Sequence, residues 1–464
     1  MKSLNNFIQT SKIKLEKSDD IQFSFLSATI KTEKTAKPRT QNSLVIQIQG
    51  EVKAHDSASE AARYSRPTLL VTLGILSFFS GRDFTVYQVT ESSSNITTQA
   101  PPQENLVARC IFNGSDYSKD IKTLCNNINN NTPHQNALLF SLLDRWRKAQ
   151  SQLIESEGQG LLEDESLLSF FHVLELLSTE YSPTQKLEVD EKISSFLDDL
   201  VTNTFKHSGP SAKQKISEKT KLITSILANG DLFSIASKIN YMLEKLNLLD
   251  SRTKNLVQKL VQARNSIAHG RQVFIDRFIW PLPPFFMLHS DLLNLGEIIR
   301  IFTARIIAKH YGLEHWQSEW IESLSILSPP PDIIRTFINN GDYKKIDTED
   351  FHKGTMDLIT PSSITEAYIN KHISLPDFER TMEKHAANIM ASTPESSDAE
   401  PFYIAIFLAD AQAPLLAGLC RRYIQDNYAS TSTLKNCLRF LEHYGIDTPW
   451  FREWIASGIN RKTE

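Results

Sequence analysis

The chain has 464 residues, 41% of them hydrophobic, which suffices for real cores in about two to four domains. A formal net charge of −4 and a sequence pI near 6.3 exclude a global polybasic claim on nucleic acid, so an RNA ligand requires a local basic cleft. Four cysteines, Cys110, Cys125, Cys420 and Cys437, show no C-x-x-C spacing, which excludes a disulfide scaffold, argues against zinc and fits a reducing compartment.

The opening stretch MKSLNNFIQTSKIKLEK has no continuous apolar run before a small-residue cleavage site, so no secretory signal is expected. The longest apolar stretch, PTLLVTLGILSFF at 67–79, is too short to cross a bilayer as a helix. These features predict a soluble cytoplasmic protein with no membrane association. No internal repeat stands out at solenoid periods.

Residues 1–110 read as a mixed α/β domain. IQFSFLSATI and LVIQIQGEV are rich in β-branched and aromatic residues and predict two strands joined by the exposed loop KTEKTAKPRTQNS. An alanine-rich polar helix is expected over 55–66, and 67–79 is a buried helix or strand that periodicity does not separate. Ser80-Gly81-Arg82-Asp83 is a turn before a last strand, FTVYQVT. Arg66 and Arg82 read as solvated cap and turn residues, with a ligand surface as the alternative. ESSSNITTQAPPQE (91–104) and NNINNNTPHQ (126–135) are polar loops by composition, and 111–135 is assigned as connector.

A helical region follows over 136–311. NALLFSLLDRWRKAQSQLIE sets Leu138, Leu142, Leu143 and Trp146 at helical spacing with basic residues on the far side. EDESLLSFFHVLELLSTEYS has an acidic first turn and is apolar almost all round from 167 to 177, as a central buried helix would be. His172 and Glu175 break that pattern, and Glu175 projects between Leu168 and Phe171. Further helices are expected over 186–200 and 215–228, divided by the polar break HSGPSAKQK, then one over DLFSIASKINYMLEKLNLLD with Asp231 as N-cap.

The next helix, LVQKLVQARNSIAHG at 256–270, carries the pattern R-N-x-x-x-H as Arg264, Asn265 and His269. Leu256, Leu260, Ala263 and Ile267 fall within about 60° of one another on a helical wheel and define a buried face. Arg264 sits inside the apolar stripe, about 80° round from Leu256, where an arginine is costly unless it is paired or faces a cleft. Glu175 and Arg264, each unfavourable alone in a core, are expected to face one another. The alternative is that Glu175 meets another base or reaches solvent. Gly270 offers a stop. Arg264 and His269 splay by about 140°, so they converge only if the arginine wraps round or a second copy completes the site.

R-N-x-x-x-H followed by glycine, on a helix in helical surroundings, resembles the signature of the HEPN superfamily of four-helix ribonuclease and nucleotide-binding modules. The spelling RNSIAHG, with the apolar helix FFHVLELL upstream, is most similar to the HEPN domains of ApeA-like anti-phage proteins, over residues 136–311. The resemblance implies a HEPN-like antiparallel helical bundle and a metal-independent endoribonuclease of anti-phage defence or abortive infection that needs no cofactor. The implied substrate is RNA, with tRNA the first candidate. It makes His269 the general acid or base, Arg264 the phosphate clamp and Asn265 an orienting group, with Glu175 supporting Arg264. Implied partners are a second copy of the chain and a phage-derived trigger or an antitoxin. A non-catalytic module that binds nucleotide or protein, and the toxin of a toxin–antitoxin pair, are the alternatives, and the first 110 residues are assigned by analogy as sensor or brake.

PLPP at 281–284 halts the chain before a long amphipathic helix over 285–311. Residues 312–464 read as a helical extension, with helices around 364–390, 402–428 and 434–444, a loop-rich patch at 344–363 and a low-complexity loop at 391–401. His352, His372, His385 and His443 are too dispersed to ligate a metal and read as surface or capping residues. The fold class expected is mainly α with an N-terminal mixed α/β domain.

Overall fold

The computed structural model describes residues 4–34, 41–53, 56–97, 106–156, 163–229, 233–269, 295–353, 359–391, 400–428, 431–443 and 445–457. The chain is mainly helical with an N-terminal antiparallel sheet. Two units separate by their internal contacts: Met1–Leu249 with Val257–Val273 and Gly296–Ser323, and Asp250–Leu256 with Phe274–Leu295 and Leu324–Glu464.

In the first unit the strands are β1 (Leu4–Leu15), β2 (Asp20–Phe25), β3 (Ala28–Glu33), β4 (Asn42–Lys53), β5 (Val89–Thr97), β6 (Arg109–Phe112) and β7 (Ser115–Asp116). They form one sheet in the order β5-β1-β4-β3-β2-β6-β7. IQFSFLSATI is therefore a hairpin rather than one strand, turning at Leu26, whose φ is +46°. The expected strand FTVYQVT is a 3-10 turn at Val86–Gln88 running into β5, and the polar stretch after it pairs with β1 as an edge strand. Its serines find partners: Gln9 Nε2 donates to Ser92 Oγ at 2.8 Å, and the Ser94 hydroxyl donates to Gln9 Oε1. β1 was hidden by the same chemistry, because Gln9 and Ser11 take two successive inward positions between Phe7 and Ile13. Gly50 of β4 faces Phe7 of β1, and a Cβ there would lie 2.6 Å from the ring.

Helix α1 (Ala58–Ser80) is one element through Pro67, which settles 67–79 as helix. Its last turns are buried, and it stops at Gly81, whose φ of +66° lets its N–H reach the Ser77 carbonyl at 2.9 Å. α1 lies on the sheet and packs against α3 (Pro133–Ser156). Gly74 makes that approach possible, since its Cβ would stand 3.1 Å from Leu143 Cβ. The expected connector instead holds β6, β7 and α2 (Ser118–Asn130), so NNINNNTPHQ begins inside a helix. Asp120 of α2 accepts the backbone N–H groups of Glu314 and His315 at 3.2 and 2.7 Å. Residues up to Ser323 thereby group with the sheet, which itself runs to Asp116, whereas the sequence divides the chain at 110 and 311.

Helix α4 (Glu163–Asp199) is continuous where two helices were expected, with Pro183 inside it and a π-helical turn at Leu200–Thr204. It packs on α3, α5 (Pro210–Asn229) and α6 (Ile235–Lys245). Ser234 caps α6, accepting from Ser237 N, while the proposed cap Asp231 lies outside the described residues. α7 (Ser251–Ala268) and α8 (Leu295–His310) follow. Residues 281–284 and the first part of the 285–311 helix also lie outside the described residues. Trp146 of α3 is fully buried and donates through Nε1 to the Arg300 carbonyl of α8 at 3.2 Å.

α9 (Gln317–Ile326) leads on to the second unit, in which α10 (Pro331–Asn339), α11 (Thr348–Lys353), α12 (Pro361–Ile369), α13 (Leu375–Ala391), α14 (Glu400–Leu408), α15 (Pro414–Asn427), α16 (Thr431–His443) and α17 (Pro449–Ala456) surround a core that includes Phe351, Phe378, Ile404 and Phe451. The span 364–390 is two helices, broken where Lys371 takes φ +59°, and 402–428 is two as well, restarted by Pro414 at the first turn of α15. His352 and His372 are exposed, but His385 is a core residue, bonded to Thr348 Oγ1 at 3.1 Å and the Tyr343 carbonyl at 3.2 Å. The His443 side chain lies outside the described residues. No described helix is long and apolar enough to cross a membrane.

Candidate functional site

α7 begins at a reciprocal cap: Thr253 N donates to Asp250 Oδ1 and Asp250 N donates to Thr253 Oγ1, both at 2.7 Å. Leu256, Val257 and Leu260 are buried, at 2%, 0% and 0% exposure. Ala263 and Ile267 are only half-buried, so the apolar face expected from the wheel fades towards the end of the helix that carries the motif.

Arg264 lies at that transition. Its Nη2 donates to Glu175 Oε1 of α4 at 3.0 Å, and its Nη1 donates to Asn265 Oδ1 at 3.1 Å. The two charged side chains are 33% and 28% exposed, so the pair sits at a rim, neither solvated nor sealed. The guanidinium carbon also stands 5.9 Å from the ring centre of the fully buried Phe171. Phe171 was not singled out from sequence, although its place one turn before Glu175 on α4 was the available signal.

The structure thus gathers Arg264, Asn265 and Glu175 into one cluster across α4 and α7. His269 stands apart. Its side chain is exposed and makes no hydrogen bond to Arg264, Asn265 or Glu175, and its backbone N–H donates to the Asn265 carbonyl at 3.1 Å. Gly270, the expected helix stop, lies outside the described residues. His172, one turn before Glu175 on α4, is exposed.

Further along α4, the Tyr181 hydroxyl bonds His310 Nδ1 of α8 at 2.7 Å, and burial pushes the phenol up and the imidazole down, which keeps both neutral. Among the two residues flagged near the sheet, Arg82 is structural. It grips both Asp19 oxygens at 2.6 and 3.0 Å and Asn113 Oδ1 at 2.7 Å. Among the described residues, no three His, Cys, Asp or Glu side chains gather as metal ligands. Chemically the cluster is a fixed cation at a half-buried rim, suited to an anion, with the exposed imidazole of His269 on the same helix but outside it. Comparison of the chain with protein-family models, curated proteins and solved structures finds no match.

Proposed function

We propose that the chain is a metal-independent endoribonuclease of the HEPN type, with α4 and α7 in its helical bundle, acting as a homodimer in anti-phage defence. The observation that supports this is the Arg264 guanidinium held at 3.0 Å by Glu175 and 3.1 Å by Asn265 at a half-buried rim. A dedicated carboxylate keeps the cation in place, and its planar fork still has N–H donors for a phosphate.

RNA carries its own nucleophile. The 2′-oxygen attacks the adjacent phosphorus as a base takes its proton, and the 5′-oxygen leaves as an acid supplies one, giving a 2′,3′-cyclic phosphate. His269 takes the proton role because an imidazole both accepts and donates a proton. Arg264 binds the nonbridging oxygens and the charge that grows on them. Asn265 and Glu175 hold Arg264 in orientation without reacting. Because the two motif side chains diverge on one helix, Arg264 of one copy serves His269 of the other, and dimerisation is part of the site.

The test is purified protein incubated with tRNA and total RNA in EDTA, alone and with an extract of phage-infected cells, with the new ends sequenced. Cyclic-phosphate ends are expected from the native chain and absent from Arg264→Ala and His269→Ala. Intact RNA in every sample from a protein shown to be dimeric refutes the reading. A second reading, a non-catalytic module that binds nucleotide or protein, is favoured by Arg264 being already engaged on two sides, and it predicts binding without cleavage.

A further inference from the structure

Two cavities adjoin on the face of α3 beside α1 and α4. The first, about 350 Å³, lies between α3 and α4 and is lined by Arg145, Lys148 and His172 together with Asp144. The second, about 480 Å³, lies between α3, α1 and the 3-10 turn, and is lined by Arg66, Tyr87, Arg147 and again Lys148. The shared lysine and a hydrogen bond from Ser169 Oγ of the first to Gln152 Oε1 of the second, 2.9 Å, join them along one rim.

The lining is cationic. Asp144 is the carboxylate in it, and it is occupied, accepting from Arg147 Nη2 at 2.7 Å and Lys148 Nζ at 2.6 Å. Asp83 stands behind the wall, accepting from Ser151 at 3.2 Å. Arg66 and Arg145 are exposed and form no ion pair with a described residue. Arg147 is 6% exposed, and its Nε has no hydrogen-bond partner among the described residues. Beside these charges the Tyr87 ring is 93% exposed, a flat apolar face held out over the second cavity.

We infer that the joined cavities are a track for single-stranded RNA, with Arg66, Arg145 and Lys148 meeting phosphates and Tyr87 stacking on a base. Cations spaced along a groove with an aromatic platform are how proteins hold single strands without reading sequence. A free mononucleotide needs one cavity, whereas here two are connected. The track ends at His172, about 4.5 Å along α4 from Glu175, so a strand lying in it presents its next phosphate to Arg264. This last link rests on the nuclease reading, and the binding does not.

The experiment measures anisotropy of a labelled 2′-O-methyl RNA 20-mer, which has no free 2′-hydroxyl to attack, on the full-length protein across a salt series. Arg66→Ala and Arg145→Ala are each expected to weaken binding several-fold and to flatten the dependence of log Kd on log salt by about 0.7. Tyr87→Ala is expected to weaken it about fivefold or more with the salt slope unchanged, and Tyr87→Phe to restore it. Lys219→Ala, exposed on α5, is the control and leaves binding unchanged. The proposal is overturned if the groove variants bind like the native chain, if Lys219→Ala loses as much as they do, or if uridine monophosphate competes as well as the 20-mer. Groove-dependent binding of the 20-mer, with no cyclic-phosphate ends on the unmodified tRNA and total RNA of the cleavage assay, refutes the nuclease reading and keeps the track. Arg264-dependent cleavage with groove variants binding normally does the reverse.

Discussion

Replacing Glu175 with glutamine removes the charge that holds Arg264 and keeps its shape. Two unit charges at 4 Å attract by about 4 kcal/mol at an effective dielectric of 20, and the 3.0 Å contact here is closer. Most of that is offset by lost hydration. Fully exposed pairs are worth about 0–1 kcal/mol and breaking buried ones costs about 3–5, so a pair about one-third exposed on each side falls at about 1–2 kcal/mol. A thermal melt of Glu175→Gln should therefore shift down by a few degrees. A cycle of Glu175→Gln, Arg264→Gln and the double variant should show a coupling of about 1 kcal/mol. If Arg264 acts on a phosphate, its loss of position should also slow cleavage by about 10- to 100-fold, as small misplacements of positioning groups do. A coupling below about 0.3 kcal/mol, or cleavage unchanged in Glu175→Gln, refutes the claim that the carboxylate positions the arginine.

The His315 imidazole, stacked on Phe79 and bonded to the Phe78 carbonyl at 3.1 Å, is lowered by burial to about 4, the bond to Phe78 opposing the shift. The unfolded chain protonates this histidine near 6.5 and the folded one only near 4, so its contribution is complete above pH 6.5 and drains away as pH falls to 4, by about 3 kcal/mol in all. Denaturant melts at pH 7 and pH 4 should show His315→Gln losing less stability than the native chain over that interval, and parallel losses contradict the buried, neutral imidazole. Gly74→Val drives a side chain into Leu143 at the crossing of α1 and α3, where a Cβ alone already stands 3.1 Å away, and should cost about 1–3 kcal/mol in the same melts. An unchanged midpoint shows that the helices separate without penalty.

Several elements were legible because their burial follows a simple period. α3 shows its apolar stripe and the first half of α4 is apolar almost all round, so Glu175 and Arg264 stood out as ionisable groups in apolar surroundings, whereas periodicity left 67–79 of α1 open between helix and strand. β1 and β5 were not legible, because Gln9, Ser92 and Ser94 satisfy one another across strands and leave no hydrophobic alternation to read. α2 was missed for a related reason: the asparagines at its end look like a loop, yet Asn127 of α2 and Asn136 of α3 spend their amides on the carbonyls of Tyr311 and Ile128 at 2.9 and 2.8 Å. Arg66 and Arg82 looked alike in the sequence. Only the fold supplies Asp19 and Asn113 to one of them and leaves the other at the mouth of a cavity.

By itself the sequence determined the predominance of helix, the shortness of its longest apolar stretch, matched by no membrane-length apolar helix among the described residues, and the motif that singles out Arg264, Asn265 and His269, since these are carried by residue type and local spacing. Tertiary structure alone decided between the expected Glu175–Arg264 pair and its alternatives, and it alone decided that His269 stands apart from both within one chain and that cations from α1 and α3 line two cavities sharing Lys148. The reason is range. Periodicity reports which side of an element is buried, whereas the partner of a charge is set by which distant segment packs there, and Glu175 and Arg264 meet across 89 residues of chain.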